Sequence, residues 1–207
     1  MFTHHYTLEH PGPLICSSHA ILIGDAGLSQ SLDAVKIADG IEALKEGALW
    51  LNDDALLAVA DLHLGYEGVL QREGVAIPRR QKTAMLQTLG RLIESRSPDV
   101  VLVNGDFKHN FSRNLDEERL EVKEVLTFLC DRSKLVIVRG NHDNYLPAIL
   151  RDMGIELRQS YRAGGYVFAH GHLEIKTKLP IIIGHEHPAL KLRDSVGAML
   201  SIPAFVV

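Results

Sequence analysis

Five short polar clusters lie along the chain: Asp61-Leu62-His63, Asn104-Gly105-Asp106, Gly140-Asn141-His142-Asp143, His170-Gly171-His172 and Gly184-His185-Glu186-His187. Carboxylate, amide and imidazole donors of this kind suit divalent cations, and a set gathered from distant parts of a chain can hold two of them. Most of the clusters follow a run of Val, Leu, Ile, Ala or Phe, where a buried strand delivers side chains to a loop at its carboxyl end. Together they read as one divided metal site.

Each cluster alone has a plainer reading. Asp61 and His63 stand two apart at a strand end, where alternate side chains point the same way and could share a cation; an isolated Asp-x-His is also an ordinary loop or capping pair. Gly105 permits a sharp turn and a close backbone approach, leaving the Asp106 carboxylate free to bridge two ions. Gly24-Asp25 has the same letters without companion ligands and reads as a turn. Asn141 or Asp143 could cap a helix that follows. His185 and His187 lie on one side of an extended segment, as a ligand pair or as a surface loop. Coincidence explains one such cluster easily and five poorly.

The elements that would position them alternate in the α/β manner from about Ala48. Trp50-Leu51, the Asn52-Asp53-Asp54 turn and Leu56 to Ala60 predict two antiparallel strands, the second ending at Asp61. Pro78 suits the first turn of a helix carrying Met85, Leu86, Leu89, Leu92 and Ile93 at helical spacing, stopped by Ser97-Pro98. Val100 to Val103 predicts a strand, and Leu120 to Arg132 a helix with a stripe of Val122, Val125, Leu126 and Leu129. Strands are expected at Leu135 to Val138, Tyr166 to Ala169 and Ile181 to Ile183, with a brief helix at Leu146 to Arg151. Residues 1–47 carry no motif; a short strand at Ile21 to Ile23, a short helix at Asp33 to Lys45 and an irregular entry at Pro11-Gly12-Pro13 are expected there.

A chain of 207 residues with 46% hydrophobic content supports one domain, residues 1–207, with its motif-bearing core at 48–207. Cys16 and Cys130 lie far from the histidine clusters, which argues against a disulfide framework or a thiolate site and suits a reducing cytoplasm. Apolar runs fall well short of the roughly 20 residues of a membrane span, and Met1 to His10 lacks the basic start of a secretory signal, so a soluble protein without a membrane partner is expected. Net charge is −4 with a pI near 6.2. Local basic groups, Arg79, Arg80 and Lys82, then Lys176 and Lys178, then Lys191 and Arg193, read as solvated faces or as local contacts for phosphate. His4, His5, His10 and His19 form no constellation.

The five motifs in this order resemble the calcineurin-like metallophosphoesterases over roughly Leu56 to His187. Asp61 to Glu67 and Asn104 to His109 look most like the SbcD-related and ligase-associated DNA repair branches. The resemblance implies Asp61, His63 and His187 on one metal ion, Asn141, His170 and His185 on a second, and Asp106 bridging them. It favours manganese, with iron, zinc or magnesium as alternatives. The implied chemistry is phosphoester hydrolysis by a water activated between two cations. His142 would serve as proton donor or charge stabiliser, Asp143 would orient it, and His109 would be an additional active-site histidine. His172 and Glu186 would support the ligands. His172 and Arg139 would also be candidates for substrate binding, although Arg139 could equally pair with a helix carboxylate.

The expected architecture is a four-layer αββα sandwich of two mixed sheets flanked by helices. The expected function is hydrolysis of phosphodiesters in DNA or RNA; small nucleotides or metabolites are the alternative substrates, and a non-catalytic binding protein on the same fold is a third reading. Only twenty residues follow His187, so a short second sheet is expected. No counterpart of the DNA-gripping domain of the larger SbcD nucleases is expected in these residues, which argues against carrying a nuclease role over from them.

Overall fold

A computed structural model describes residues 21–23, 33–110, 116–193 and 196–207 of the chain. The expected readings of Pro11 to Pro13, Cys16, Gly24-Asp25 and the four early histidines lie outside these residues. Strand β1 (Ile21–Ile23) falls where a strand is expected. The expected helix at residues 33–45 is instead a hairpin, β2 (Ala34–Ala38) and β3 (Ile41–Leu44). Alanine, lysine and glutamate give this segment a helical composition. Asp39-Gly40, with Gly40 at φ 73°, is a two-residue turn that favours a hairpin, and sheet pairing overrides the propensity. Strands β4 (Leu49–Leu51) and β5 (Leu56–Val59) then pair antiparallel about the expected Asn52 to Asp54 turn.

Beyond β5 the chain crosses over through helices. Helix α1 (Tyr66–Arg72) has no buried residue, hence no apolar stripe to announce it in the sequence. Helix α2 (Gln81–Arg96) begins after Pro78 rather than on it. Glu67 Oε2 accepts the backbone N–H groups of Arg80 and Gln81 at 2.7 and 2.9 Å, so a side chain from α1 satisfies the start of α2. Ser97, in left-handed conformation at φ 47°, closes α2 by donating to the Ile93 carbonyl. Then follow β6 (Val100–Asn104), α3 (Asp116–Cys130), β7 (Lys134–Val138), α4 (Leu146–Asp152) and β8 (Leu157–Arg158). Strands β2 to β8 form one seven-stranded sheet in sequence order, antiparallel as far as β5 and parallel after it. Residues 34–44, which carry no motif, are therefore strands of the same sheet that delivers the clusters.

Two smaller sheets complete the described chain. Strands β9 (Tyr161–Ala163), β10 (Tyr166–Phe168) and β11 (Ile181–Ile182) form one. Strand β13 (Met199–Val206) lies between β12 (Ala189–Arg193) and β1 in the other, so the residues after His187 make a hairpin.

Alternation along β6 splits the core. Val101 and Val103 face the helices, where Met85 and Leu89 of α2, the expected α3 stripe and Ile149 of α4 are all at most 1% exposed. Leu102 faces the other way, with Leu56, Val136 and Val138, against Phe168, Ile182 and Phe205 of the smaller sheets. Each such buried aliphatic or aromatic side chain contributes about 1.5–3 kcal/mol. The result is an α/β sandwich with sheets packed face to face. Of its expected four layers, helix, sheet and sheet are built from described residues; Ile181, Ile183, Leu192, Met199 and Leu200 of the smaller sheets and their loops are exposed. No described helix is long and apolar enough to cross a membrane.

Candidate metal centre

Val59, Val103 and Ile137 stand side by side in the parallel register of β5, β6 and β7. Asp61, Asp106 and Asn141 follow them by two, three and four residues, so three loops open at one level of one sheet edge. In the smaller sheet Phe168 of β10 is level with Ile182 of β11, and His170 and His185 follow at the same end. The loops knit together directly: the Asp61 N–H donates to the Gly105 carbonyl at 3.0 Å, His63 N–H to Asp106 at 2.9 Å, and Gly184 N–H to His170 at 3.1 Å.

These contacts bring all seven expected ligands to one place. Asp106 Oδ2 lies 3.7 Å from His63 Nε2 and 3.2 Å from His170 Nε2; Asp61 Oδ1 lies 3.4 Å from His187 Nε2. Asn141 Oδ1 is 3.1 Å from His170 Nε2. Donor atoms of Asp61, His63 and His187 fall within 4.8 Å of one another, as do those of Asp106, His170 and His185.

The convergence does not come from strand alternation, as the spacing suggested. Asp61, His63, Asp106, His185 and His187 all have positive φ, between 42° and 65°. Left-handed backbone of this kind costs a non-glycine residue about 1–2 kcal/mol, and its concentration on five candidate ligands marks a site where geometry outweighs local comfort. Glycines clear the space. A Cβ on Gly105, itself at φ 92°, would meet His170 Nδ1 at 2.2 Å, and one on Gly184 would meet Asp61 Oδ2 at 2.7 Å.

Asp61 and Asp106 are 2% and 1% exposed, and their ion pairs among the described residues are with histidines alone. Buried carboxylates need compensating positive charge. Burial disfavours the Asp106 carboxylate, but the His170 bond and charge and the His142 N–H outweigh it and bring its pKa down to about 2. Burial likewise opposes charge on His170, while Asp106 and Asp61 draw positive charge to it and raise its pKa. Burial also lowers His63 and His109 to about 4, so both are neutral imidazoles at pH 7, the state in which imidazole can ligate. Two buried carboxylates, an amide oxygen and a cluster of imidazoles, of which His63 is neutral at pH 7, fit divalent cations.

Around this centre lie the expected catalytic residues. His109 Nδ1 is 3.4 Å from His63 Nδ1, and the His109 and His142 rings stack at 5.4 Å. Asp143 does not orient the His142 ring as expected. Its Oδ1 accepts the N–H groups of Phe107 and Lys108 at 3.0 and 3.4 Å, its Oδ2 accepts that of Gly140 at 2.8 Å, and His142 Nδ1 instead meets the His109 carbonyl at 2.6 Å. A wholly buried carboxylate finds its donors in the main chain of two neighbouring loops, and it positions those loops rather than a ring. His172 lies 6.2 Å from His185 between ring centroids, and Arg139 reaches Asn144 at 3.4 Å rather than a helix carboxylate.

Other supporting residues gave no signal in the sequence. Gln81 looks like a plain helix former, yet its Nε2 donates to the carbonyls of Leu62 and His63 at 3.3 and 2.9 Å. Glu118 looks like one more helix charge, yet it is buried and accepts the Asn110 N–H at 2.9 Å. Lys108 is 2% exposed; its ammonium donates to the Asn110 carbonyl and sits 5.5 Å from the Tyr145 ring centroid.

Fold and centre together define a metal-dependent phosphoesterase class. The family model of the calcineurin-like phosphoesterases matches residues 55–194, and the chain belongs to that family of hydrolases, which work with divalent metal ions. In three dimensions it is similar to the crystal structure of Pseudomonas putida nuclease MPE, with a TM-score of 0.56 and 21% sequence identity over 76% of each chain. No curated protein matches significantly in sequence.

Proposed function

We propose that the chain is a two-cation phosphodiesterase that cleaves nucleic acid. The observation that carries this is the position of Asp106, whose Oδ2 stands between His63 Nε2 and His170 Nε2, at 3.7 and 3.2 Å, at the meeting of the two donor sets. Asp61, His63 and His187 would hold one ion, Asn141, His170 and His185 the other, with Asp106 shared. Bound there, the ions would supply an activated water and polarise the phosphoryl oxygens. Manganese is the favoured metal by resemblance.

The chain's own groups do the rest. If His63 ligates through Nε2, its Nδ1 carries the proton and donates it to His109 Nδ1, which leaves the His109 Nε2–H free to meet a phosphoryl oxygen. His142 is fixed in the complementary way. A carbonyl can only accept, so His142 Nδ1 carries a proton; a second proton taken up on Nε2, forming the imidazolium, would be the one passed to the leaving oxygen, returning the ring to neutral. The His172 ring lies 5.3 Å from that of His170, and Arg139, whose charge acts on His172, would balance a phosphate charge there.

Two observations favour nucleic acid as substrate: the resemblance of the Asp61 and Asp106 motifs to DNA repair phosphoesterases, and a fold neighbour that is a nuclease. A net charge of −4 and the pairing of Lys82 with Glu124 at 2.6 Å favour small phosphodiesters. An activity panel with Mn²⁺ separates the readings. Cleavage of single- or double-stranded DNA, with binding that weakens steeply with salt, supports the first. Turnover of cyclic nucleotides or bis(p-nitrophenyl) phosphate, with none of DNA, supports the second.

A further inference from the structure

The seven ligand candidates come from two separate sheets. Asp61, His63, Asp106 and Asn141 follow strands of the seven-stranded sheet, and His170, His185 and His187 follow β10 and β11. Each sheet's hydrogen-bond ladder fixes its own half of the centre and says nothing of the distance to the other. Apolar packing between sheets is non-directional and tolerates small slips. A dinuclear site does not, since ligand distances must hold within a few tenths of an ångström.

The ligand candidates themselves touch across the gap, as where the Asp61 carboxylate accepts the His185 N–H at 3.2 Å, and beside them one further buried side chain hydrogen-bonds across it among the described residues. Asn104, the last residue of β6, is 3% exposed. Its Nδ2 donates to the carbonyl of Ala169 at 3.0 Å and to that of Ile182 at 3.2 Å, one residue before His170 and within the strand that leads to His185. Its main-chain carbonyl meets His170 Nδ1 at 3.1 Å. The amide cannot be turned round, because both neighbours of Nδ2 are acceptors. Its Oδ1 is buried and has no hydrogen-bond partner among the described residues. An orphaned buried acceptor is unfavourable, so this amide is held for its donor end alone.

We propose that Asn104 is the positioning residue that sets the spacing between the two halves of the metal centre, and through it the affinity of the cation held by His170 and His185. The bond from His170 Nδ1 to the same residue's carbonyl leaves His170 Nε2 facing Asp106 and Asn141, so one residue sets both the tautomer and the placement of that ring. This rests on the two-cation reading above.

The test is Mn²⁺ titration calorimetry on metal-stripped protein, with the Mn²⁺ paramagnetic resonance spectrum as a second readout. Asn104→Asp keeps the shape but sets an oxygen against two carbonyls; Asn104→Ser and Asn104→Ala remove the reach. Val101→Ala, in the same strand, controls for lost stability alone. The expected result is two sites in the wild type and in the control. In the Asn104 variants one site should weaken on the order of 10- to 100-fold, the range for residues that orient ligands, and the spectrum should change from a coupled pair to an isolated ion. Unchanged two-site binding in the folded variants, or failure of all three to fold, overturns the inference. A wild type that binds fewer than two ions overturns the two-cation reading instead.

Discussion

A Cβ on Gly140 would lie 2.1 Å from Asp106 Oδ1. The same oxygen accepts the His142 N–H at 2.9 Å, so the β7 loop passes directly over the carboxylate that the two proposed cations would share. The obstacle to a side chain at Gly140 is steric, since its φ is not positive. Gly140→Ala should therefore displace Asp106, costing about 1–3 kcal/mol of stability and most of the bound metal. Gly154→Ala, at φ 68° with open space around it, should cost about 1 kcal/mol and leave metal content alone. Urea unfolding and metal analysis of the two purified variants make the comparison. Full metal content in Gly140→Ala would refute it.

His142 Nδ1 meets the His109 carbonyl, and under the proposed function these two rings act on a proton rather than on a cation, although with His63 they could also hold one. His142→Ala and His109→Ala should each keep their metal and lose turnover, by roughly 10²- to 10⁴-fold for His142. The double variant should lose less than the product of the two, because each depends on the other's placement. Rates on a phosphodiester at saturating Mn²⁺, with metal content measured alongside, decide the matter. Loss of metal in His142→Ala would place that ring among the ligands.

Much of this centre was legible because its donors are chemically rare and fall at the ends of apolar runs. Val100 to Val103 announces a buried strand, and Asp106 beyond it can only lie at that strand's carboxyl end. The β2–β3 hairpin was misread because its alanines, lysines and glutamates favour helix, and only Asp39-Gly40 spoke against it. Helix α1 buries nothing and left no pattern. Gln81 and Glu118 were invisible as supports, and Asn104 was visible only as a cluster member, because each makes its contact through an ordinary polar group that also suits a surface, Asn104 and Gln81 with residues distant in sequence. The left-handed turns at Asp61, His63, His185 and His187 likewise belong to the assembled site and not to any local preference of those residues.

Acid should destabilise the metal-free protein. His63 and His109 have native pKa values of about 4 against an ordinary 6.5, so as pH falls below 6.5 the unfolded chain takes up protons first and stability is lost down to about pH 4. Asp143 has the opposite sign. Burial pushes it up to about 6 from 3.8, so its contribution is fully present below 3.8 and is lost as pH rises through 6. Each group acts at about 1.4 kcal/mol per pH unit within its window. Burial lowers His172 as it does His63 and His109, while Glu118, raised by burial, acts with Asp143, and His170, raised by Asp106 and Asp61 against its burial, opposes the other histidines only above pH 6.5. The urea midpoint of chelator-treated protein should fall between pH 7 and pH 5, and His109→Asn should flatten that fall. A midpoint that rises toward pH 5 would mean that Asp143 dominates.

The most direct measurement is the Mn²⁺ stoichiometry of the wild type and of Asp106→Asn, which keeps the side chain's shape and removes the charge that the two proposed cations would share. Two ions per chain in the wild type, and no more than one in the variant together with collapse of phosphodiester turnover, is the expected result. A single ion in the wild type, or two ions bound equally tightly without the Asp106 carboxylate, would contradict the account.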